Sequence, residues 1–97
     1  MTSISHVVLV SWKSGKRIHA EELVRPSFEA SSAQSPRARR GRGNSTSPEG
    51  LVDGHHYGFI VTFATAQARD ASLNDPNHRP VAQAIGAAAE RIVVFDI

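Results

Sequence analysis

The sequence contains no cysteine, which excludes disulfides, thiolate nucleophiles and cysteine-type zinc sites together. It also lacks long apolar runs, because its longest stretch without charged residues or proline matches one strand or a short helix. Such a stretch is too short to cross a bilayer, so we expect no membrane partner. Residues 1–12 hold no Lys or Arg, and no small-residue cleavage site follows them. We therefore expect no secretory signal and a cytoplasmic protein.

Neither sign of charge dominates, since eleven basic and nine acidic residues leave a net charge of +2. Hydrophobic residues make up 40% of the chain and charged residues 21%, which is the balance of a globular protein. A chain of 97 residues has room for one domain and not for separate catalytic and binding domains. We therefore expect a single domain over residues 1–97.

The basic residues are unevenly placed, and they lie in a stretch poor in apolar side chains. Residues 25–50 contain Phe28 as their one large apolar residue. Four arginines fall within six positions of this stretch: Arg37, Arg39, Arg40 and Arg42. Arginines can pair with nucleic-acid phosphates, but no aromatic residue is interleaved here for base stacking. The pattern therefore favours a solvated loop, or a charged edge strand over residues 37–44, and makes nucleic acid the weaker alternative.

Alternating apolar residues predict strands over residues 5–13 and 56–63. In the first strand, one face consists of His6, Val8, Val10 and Trp12. In the second, one face is aromatic and consists of Tyr57, Phe59, Val61 and Phe63. The opposite face of the second strand has smaller side chains and is called the lighter face; it consists of His56, Gly58, Ile60 and Thr62. A last strand over residues 91–97 is apolar on both sides.

Helical spacing predicts helices over residues 16–24 and 66–73, the latter with Thr65 as its N-cap. A further helix has Pro80 in its first turn and runs to about Ala89. This order of elements is typical of a split βαβ fold, an α+β architecture with a four-stranded antiparallel sheet and helices on one face. One sheet face, either the aromatic or the lighter one, stays uncovered. We therefore expect a homodimer whose two sheets pack face to face.

Several short motifs, taken in order, resemble the stress-responsive dimeric α/β-barrel (Dabb) family over residues 4–24 and 43–97. They are Ser5-His6-Val-Val-Leu-Val, Ser47-Pro-Glu-Gly-Leu51, Tyr57-Gly-Phe-Ile-Val-Thr-Phe63, Ala68-Arg-Asp70, Asp75-Pro-Asn-His78 and Arg91-Ile-Val-Val-Phe-Asp96. The resemblance implies a ferredoxin-like subunit that dimerises into a barrel, with a small cavity between sheet and helices. In the plant polyketide-cyclase members, a histidine and a tyrosine in that cavity drive an aldol-type ring closure. Residues 25–42 depart from the family, with Ser, Ala and Arg where an apolar helix end and strand are usual.

The resemblance carries over to particular residues, and it is incomplete. His78 matches the histidine that serves as base in the cyclases, and His6 matches a histidine that often lines the cavity. The tyrosine that assists the base falls at Ser72, so its phenol is missing. The family's Tyr-x-His triplet reads His55-His56-Tyr57 here, so the imidazole and the phenol have exchanged places.

Five histidines are the obvious acid–base groups of the chain, because a histidine near its usual pKa of ~6.5 can accept and return a proton. His78 precedes a predicted helix N-terminus, whose dipole favours the neutral base form. His78 and His6 are the predicted catalytic residues. The predicted binding residues are His56, Tyr57, Ser72 and Trp12. We expect no metal site, since the adjacent His55 and His56 point to opposite faces of a strand and no helical histidine spacing occurs.

These residues support two functions of different classes. The first is a cofactor-independent cyclisation or isomerisation of a small ketide-like or aromatic compound, with His78 as general base. The second is a non-enzymatic stress-related homodimer or a small-ligand module, in which the histidines are structural. A small apolar or aromatic compound is the ligand that the expected cavity would hold in either case. Nucleic-acid binding through the arginine segment is the third and weakest alternative.

Overall fold

The computed structural model describes residues 3–15, 22, 25 and 38–97. Its strands and helices, in chain order, are β1 (Ile4–Trp12), β2 (Arg39–Asn44), β3 (Tyr57–Phe63), α1 (Ala66–Leu73), α2 (His78–Ala88) and β4 (Ala89–Asp96). Each agrees with a predicted element to within a few residues at its ends. The helix predicted over residues 16–24 lies outside the described residues, except that Glu22 is helical. Arg37, at the start of the predicted edge strand, also lies outside them.

The four strands form one antiparallel sheet in the order β2-β3-β1-β4. The predicted antiparallel four-stranded sheet is therefore confirmed. β1 and β3 lie at its centre, and the arginine-rich β2 is an edge strand. Positive charge on an edge opposes unwanted strand pairing, so the arginines suit this position.

The aromatic face of β3 points towards the helices and forms the core with β1. The buried apolar residues are Val8, Val10, Tyr57, Val61, Phe63, Ile85, Ala88 and Ala89. Ile85 and Ala88 are the buried residues of α2 and lie on one face of the helix. The face of the sheet opposite the helices, here called the outer face, is therefore the lighter one, with Gly58, Ile60 and Thr62.

The outer face carries exposed apolar side chains over its central and β4 strands. Leu9, Ile60, Val93 and Phe95 are all more than a third exposed. The register places them together, because Leu9 pairs with both Gly58 and Val93 and Val7 pairs with Ile60 and Phe95. A Cβ on Gly58 would lie 3.1 Å from both the Leu9 side chain and the Val8 carbonyl oxygen, so glycine permits this close packing.

Local hydrogen bonds position the two helices and the turn between them. The Thr65 hydroxyl accepts from the Ala68 amide at 3.0 Å and caps α1 as predicted. In the turn, the Asn77 amide donates to the Asp75 carboxylate at 2.8 Å and the His78 amide donates to the Asp75 carbonyl at 2.9 Å. α2 then passes into β4 without an intervening loop. The turn and the start of α2 are therefore held in place around His78.

Candidate active site

His6 and Asp96 meet on the helix-facing side of the sheet. They are cross-strand partners in the β1–β4 register, and the His6 Nδ1 lies 2.7 Å from the Asp96 Oδ1. Both side chains are largely covered. An ionised carboxylate only accepts hydrogen bonds, so Nδ1 of His6 carries the proton and Nε2 is the acceptor atom of the neutral ring.

Arg69 extends this pair towards α1. Its Nη1 donates to the Asp96 Oδ2 at 2.8 Å and its Nε donates to the Asp70 Oδ1 at 3.0 Å. The Asp96 and Asp70 carboxylates raise the pKa of Arg69 through these bonds. Burial alone would raise the pKa of Asp96, but the hydrogen bonds from Arg69 and His6 outweigh it and hold that pKa below its usual value. Asp96 is therefore ionised at neutral pH and fixes the orientation of the His6 ring.

His78 is the first residue of α2 and is half-buried. Burial lowers the pKa of its imidazole, and a positive charge on His6 lowers it further, while Asp75 acts in the opposite direction. The lowered pKa favours the neutral form of His78, which is the form that can accept a proton.

Trp12 and Tyr57 lie near the other end of the central strands. Their rings pack with centroids 5.6 Å apart and planes at 44°. The Trp12 Nε1 and the Tyr57 hydroxyl are buried and have no hydrogen-bond partner among the described residues. Trp12 lies six positions along β1 from His6, which corresponds to about 20 Å. The structure thus does not bring these two predicted binding residues to the histidines.

His56 and Ser72, the other two predicted binding residues, also lie in different places. His56 is exposed and lines a surface depression of about 420 Å³ together with Trp12 and Asn44. Ser72 lies in the last turn of α1, where its carbonyl oxygen accepts from the Asp75 amide at 3.2 Å. Ser72 is therefore connected through the backbone to the turn that precedes His78.

Sequence reasoning did not identify Asp96 and Arg69 as site residues. A hint was present for Asp96, the one acidic residue in the apolar run that begins at Ile92. Its pairing with His6 depends on the register between two strands that are 90 residues apart, which no local pattern reveals. Arg69 had no comparable signal, because an arginine on a short helix is ordinarily a solvated side chain.

Within residues 3–15 and 38–97, no group of three or more His, Asp or Glu side chains is placed to hold a metal ion. None of the helices in these ranges is long and apolar enough to span a membrane.

Comparison with known proteins gives one family and many similar folds. The family model described as Stress responsive A/B Barrel Domain (Dabb) matches residues 4–97. No curated protein matches the sequence. A dimeric ferredoxin-like protein of unknown function from Jannaschia sp. CCS1 has a TM-score of 0.88 and 20% identity, over 99% of this chain and 98% of that one.

Two plant structures are similar as well. A protein from Arabidopsis thaliana has a TM-score of 0.82 and 24% identity, covering 97% of this chain and 92% of its own. The hydroxynitrile lyase from Passiflora edulis has a TM-score of 0.82 and 19% identity, covering 98% and 91% of the two chains. At these identities the likeness shows the fold, and it confirms the predicted ferredoxin-like α+β architecture.

Proposed function

The chain belongs to the Dabb family of stress-responsive A/B barrel domains, and from this premise we propose that it is a cofactor-independent enzyme. It removes and returns a proton at a carbon next to a carbonyl group. The substrate is a small ketide-like or aromatic carbonyl compound, and the reaction is a cyclisation or an isomerisation. His78 is the general base.

One observation carries the proposal: a half-buried histidine begins the helix that covers the side of the sheet on which a carboxylate orients a second histidine at 2.7 Å. A neutral imidazole is the form that accepts a proton from carbon. The second imidazole is held by Asp96, which is itself held by Arg69. Two imidazoles in different environments can divide the roles of base and polarising group.

In the proposed reaction, His78 takes a proton from the carbon next to the carbonyl group. The C–H electron pair moves towards the carbonyl oxygen and forms an enolate. In a cyclisation, the enolate carbon attacks a second carbonyl carbon of the same molecule, and His78 gives its proton to the resulting alkoxide. In an isomerisation, His78 returns the proton to a different carbon. No electron acceptor or further reactant is needed in either case.

His6 supplies the second group in this scheme. Ser72 occupies the position at which the polyketide cyclases that this chain resembles have the tyrosine that assists the base. The phenol is therefore missing there. When protonated, His6 presents its Nε2–H group to the developing oxygen charge, and the Asp96 carboxylate at Nδ1 compensates the positive charge. This arrangement assigns base and polarising group to different histidines.

Deuterium exchange tests the proposal without knowledge of the natural substrate. In D₂O, the protein should accelerate loss of the methyl proton signal of acetophenone, a small aromatic ketone. His78→Ala should reduce this acceleration by about 10²-fold or more, since it removes the base. His55→Gln is the matched control, because the His55 ring contacts the Val52 carbonyl in a separate loop.

The outcomes of this experiment separate the two classes of function. Equal exchange by the wild-type protein and the His78→Ala variant would refute the assignment of the base. Absence of acceleration with acetophenone and with related ketones would favour the alternative, a non-enzymatic ligand-binding module. Circular dichroism of each variant checks that a loss of exchange does not reflect unfolding.

We further propose that two copies of the chain associate through the outer face. Its exposed apolar side chains would be covered by the same surface of a second copy. Similar structures from Jannaschia sp. CCS1 and Thermobifida fusca are described as dimeric ferredoxin-like proteins. The helix-facing side, with His6 and Asp96, stays on the opposite side of the sheet from this contact.

A further inference from the structure

The surface depression of about 420 Å³ lies at the end of the sheet, away from His6. The pairing of β1 with β3 ends at Val10 and Tyr57, but β1 continues to Trp12. The depression opens beside this unpaired end of β1. Ser11, one of the residues that line it, is five positions along β1 from His6, which corresponds to about 17 Å. The depression is therefore separate from the pair formed by His6 and its carboxylate.

The described residues that line the depression offer several hydrogen-bond donors and include no acidic side chain. Their polar members are Ser11, Lys13, Ser14, Asn44 and His56. The Lys13 ammonium group brings a positive charge and three donors, and the Asn44 amide and the His56 ring bring further N–H groups. None of these side chains hydrogen-bonds to, or forms an ion pair with, another described residue. Their donors are therefore available to a ligand.

The Ser11 hydroxyl is the buried polar group of this lining. Ser11 is 7% exposed, and its hydroxyl makes no hydrogen bond to a described residue. Burying a hydroxyl without a partner costs free energy, so a ligand atom that accepts from it restores a lost interaction. Glycine at position 54 keeps the space beside it open, since a Cβ there would lie 3.6 Å from the Ser11 Oγ and 2.8 Å from the Arg91 Nη2.

The charges around the depression favour an anion. Ser11 and Arg91 are opposed in the β1–β4 register, so their side chains lie on the same face of the sheet. The Arg91 Nη2 donates to the Asp53 carbonyl at 2.8 Å, and its Nη1 lies 3.6 Å from the Asp53 carboxylate. The Asp53 side chain is 84% exposed, so solvent screens its charge. Two cations, Lys13 and Arg91, thus stand against one solvated carboxylate.

We propose that this depression binds the phosphate group of a small molecule, at a site separate from the candidate active site. Lys13 supplies the positive charge, and the Ser11 hydroxyl donates from the buried side. Asn44 and His56 add N–H donors from β2 and from the residue before β3. A phosphate accepts hydrogen bonds through several oxygens at once, which suits donors that come from different elements. The space is of the size of small-ligand pockets, and Trp12 lines it with apolar surface for an organic body.

NMR titration of the full chain with inorganic phosphate and with phenyl phosphate tests the proposal. Both probes should give saturable shifts of the His56 ring signals and of the Gly54 amide signal. Lys13→Gln and Ser11→Ala should each raise the dissociation constant about tenfold, because each removes a hydrogen bond to a charged ligand. Tighter binding of phenyl phosphate would identify a phosphorylated organic compound as the ligand, whereas equal affinities would identify free phosphate.

Arg79→Gln is the matched control for the loss of a positive charge. Arg79 is exposed in the first turn of α2, whereas Ala88, at the other end of α2, accepts a hydrogen bond from the Lys13 amide. Arg79 is thus about 14 Å along the helix from the residue that contacts Lys13. The dissociation constant of this variant should stay within about twofold of the wild-type value, since solvent screens a distant exposed charge. Lys13→Arg, which keeps the charge, should retain most of the affinity.

Three results would overturn the inference. They are the absence of a saturable shift at His56, equal affinities of the wild-type protein and both weakened variants, and identical shifts with sodium chloride at matched ionic strength. Lys13 is exposed, so Lys13→Gln removes a binding group without disturbing the core. Failure of the proposed function leaves this inference standing, because His78→Ala should bind phosphate as the wild-type protein does.

Discussion

His78 and His6 were identified from the sequence because histidine is the residue type that suits proton transfer near neutral pH. Their environments could not be predicted in the same way. The lowered pKa of His78 arises from burial and from the nearby His6, and both depend on packing between β1 and α2. The partner of His6, Asp96, comes from the far end of the chain, and Arg69, which holds Asp96 in turn, comes from α1. The sequence therefore identified the residue types that can transfer a proton, whereas the side chains that contact them could be identified only from the three-dimensional fold.

At the residue scale, the lowered pKa of His78 predicts how stability depends on pH. The folded pKa lies below the 6.5 of an ordinary histidine, so the unfolded chain binds the proton first as the pH falls. The free energy of unfolding should decrease as the pH falls from 6.5 towards the folded pKa, and this contribution should be constant above 6.5. Urea denaturation between pH 8 and pH 5 measures the slope, which should be shallower for His78→Gln.

The same titration can be observed directly. In an NMR titration, the His78 ring signals should change at a pH below 6.5. Asp96 does not interfere, because its pKa lies below its usual 3.8 and its contribution is lost only at more acidic pH. A His78 midpoint at or above 6.5, or identical denaturation slopes for the wild-type protein and His78→Gln, would contradict the assignment of a neutral base.

At the scale of elements, α1 and β3 were predictable because their signals are local. Thr65 precedes a run of helix-forming residues, and the apolar residues of β3 alternate without interruption. The orientation of β3 in the sheet could not be predicted from its local sequence. Both of its faces are apolar enough to be buried, so the alternation could not decide which one meets the helices. The aromatic face lies inside because its larger side chains fill the space between sheet and helices.

The N-cap of α1 supplies a prediction at this scale. Thr65→Ala removes the hydroxyl that accepts from the Ala68 amide, so it should lower the free energy of unfolding by about 1 kcal/mol. Chemical denaturation measures this loss. Asn77→Ala is the matched control, because the side chain of Asn77 makes no capping hydrogen bond to α2. Its effect should stay within about 0.5 kcal/mol. Equal losses in the two variants would show that the Thr65 hydroxyl is not the cause.

At the scale of the whole molecule, the uncovered sheet face was expected from the sequence, since the helices cover one side only. Its composition became clear from the register, which gathers Leu9, Ile60, Val93 and Phe95 on the outer face. Local patterns showed that β4 is apolar on both sides, but they did not show which side faces away from the helices. The predicted four-stranded antiparallel sheet is confirmed, and its strand order, β2-β3-β1-β4, comes from the structure.

The outer face predicts the effect of a charge on association. Phe95→Glu should convert a homodimer into a monomer at micromolar concentration, with association weakened by about 10²-fold or more, because a carboxylate would be placed in an apolar contact. Sedimentation analysis measures this change. Val94→Glu is the matched control, since Val94 is 57% exposed and Phe95 60% but the two point to opposite sides of β4. Association that survives Phe95→Glu, or that Val94→Glu weakens as much, would contradict a contact through the outer face.

The pairing of β4 with β1 restricts which codon deletions the last strand can tolerate. Successive residues of a strand alternate between its two sides, so a single-codon deletion within the last strand would turn every following side chain over. The Asp96 side chain would then point away from His6 to the outer face, and the Phe95 side chain would point to the helix-facing side. Loss of two codons would preserve the alternation and shorten the strand. Natural length variants of this segment should therefore differ by even numbers of residues.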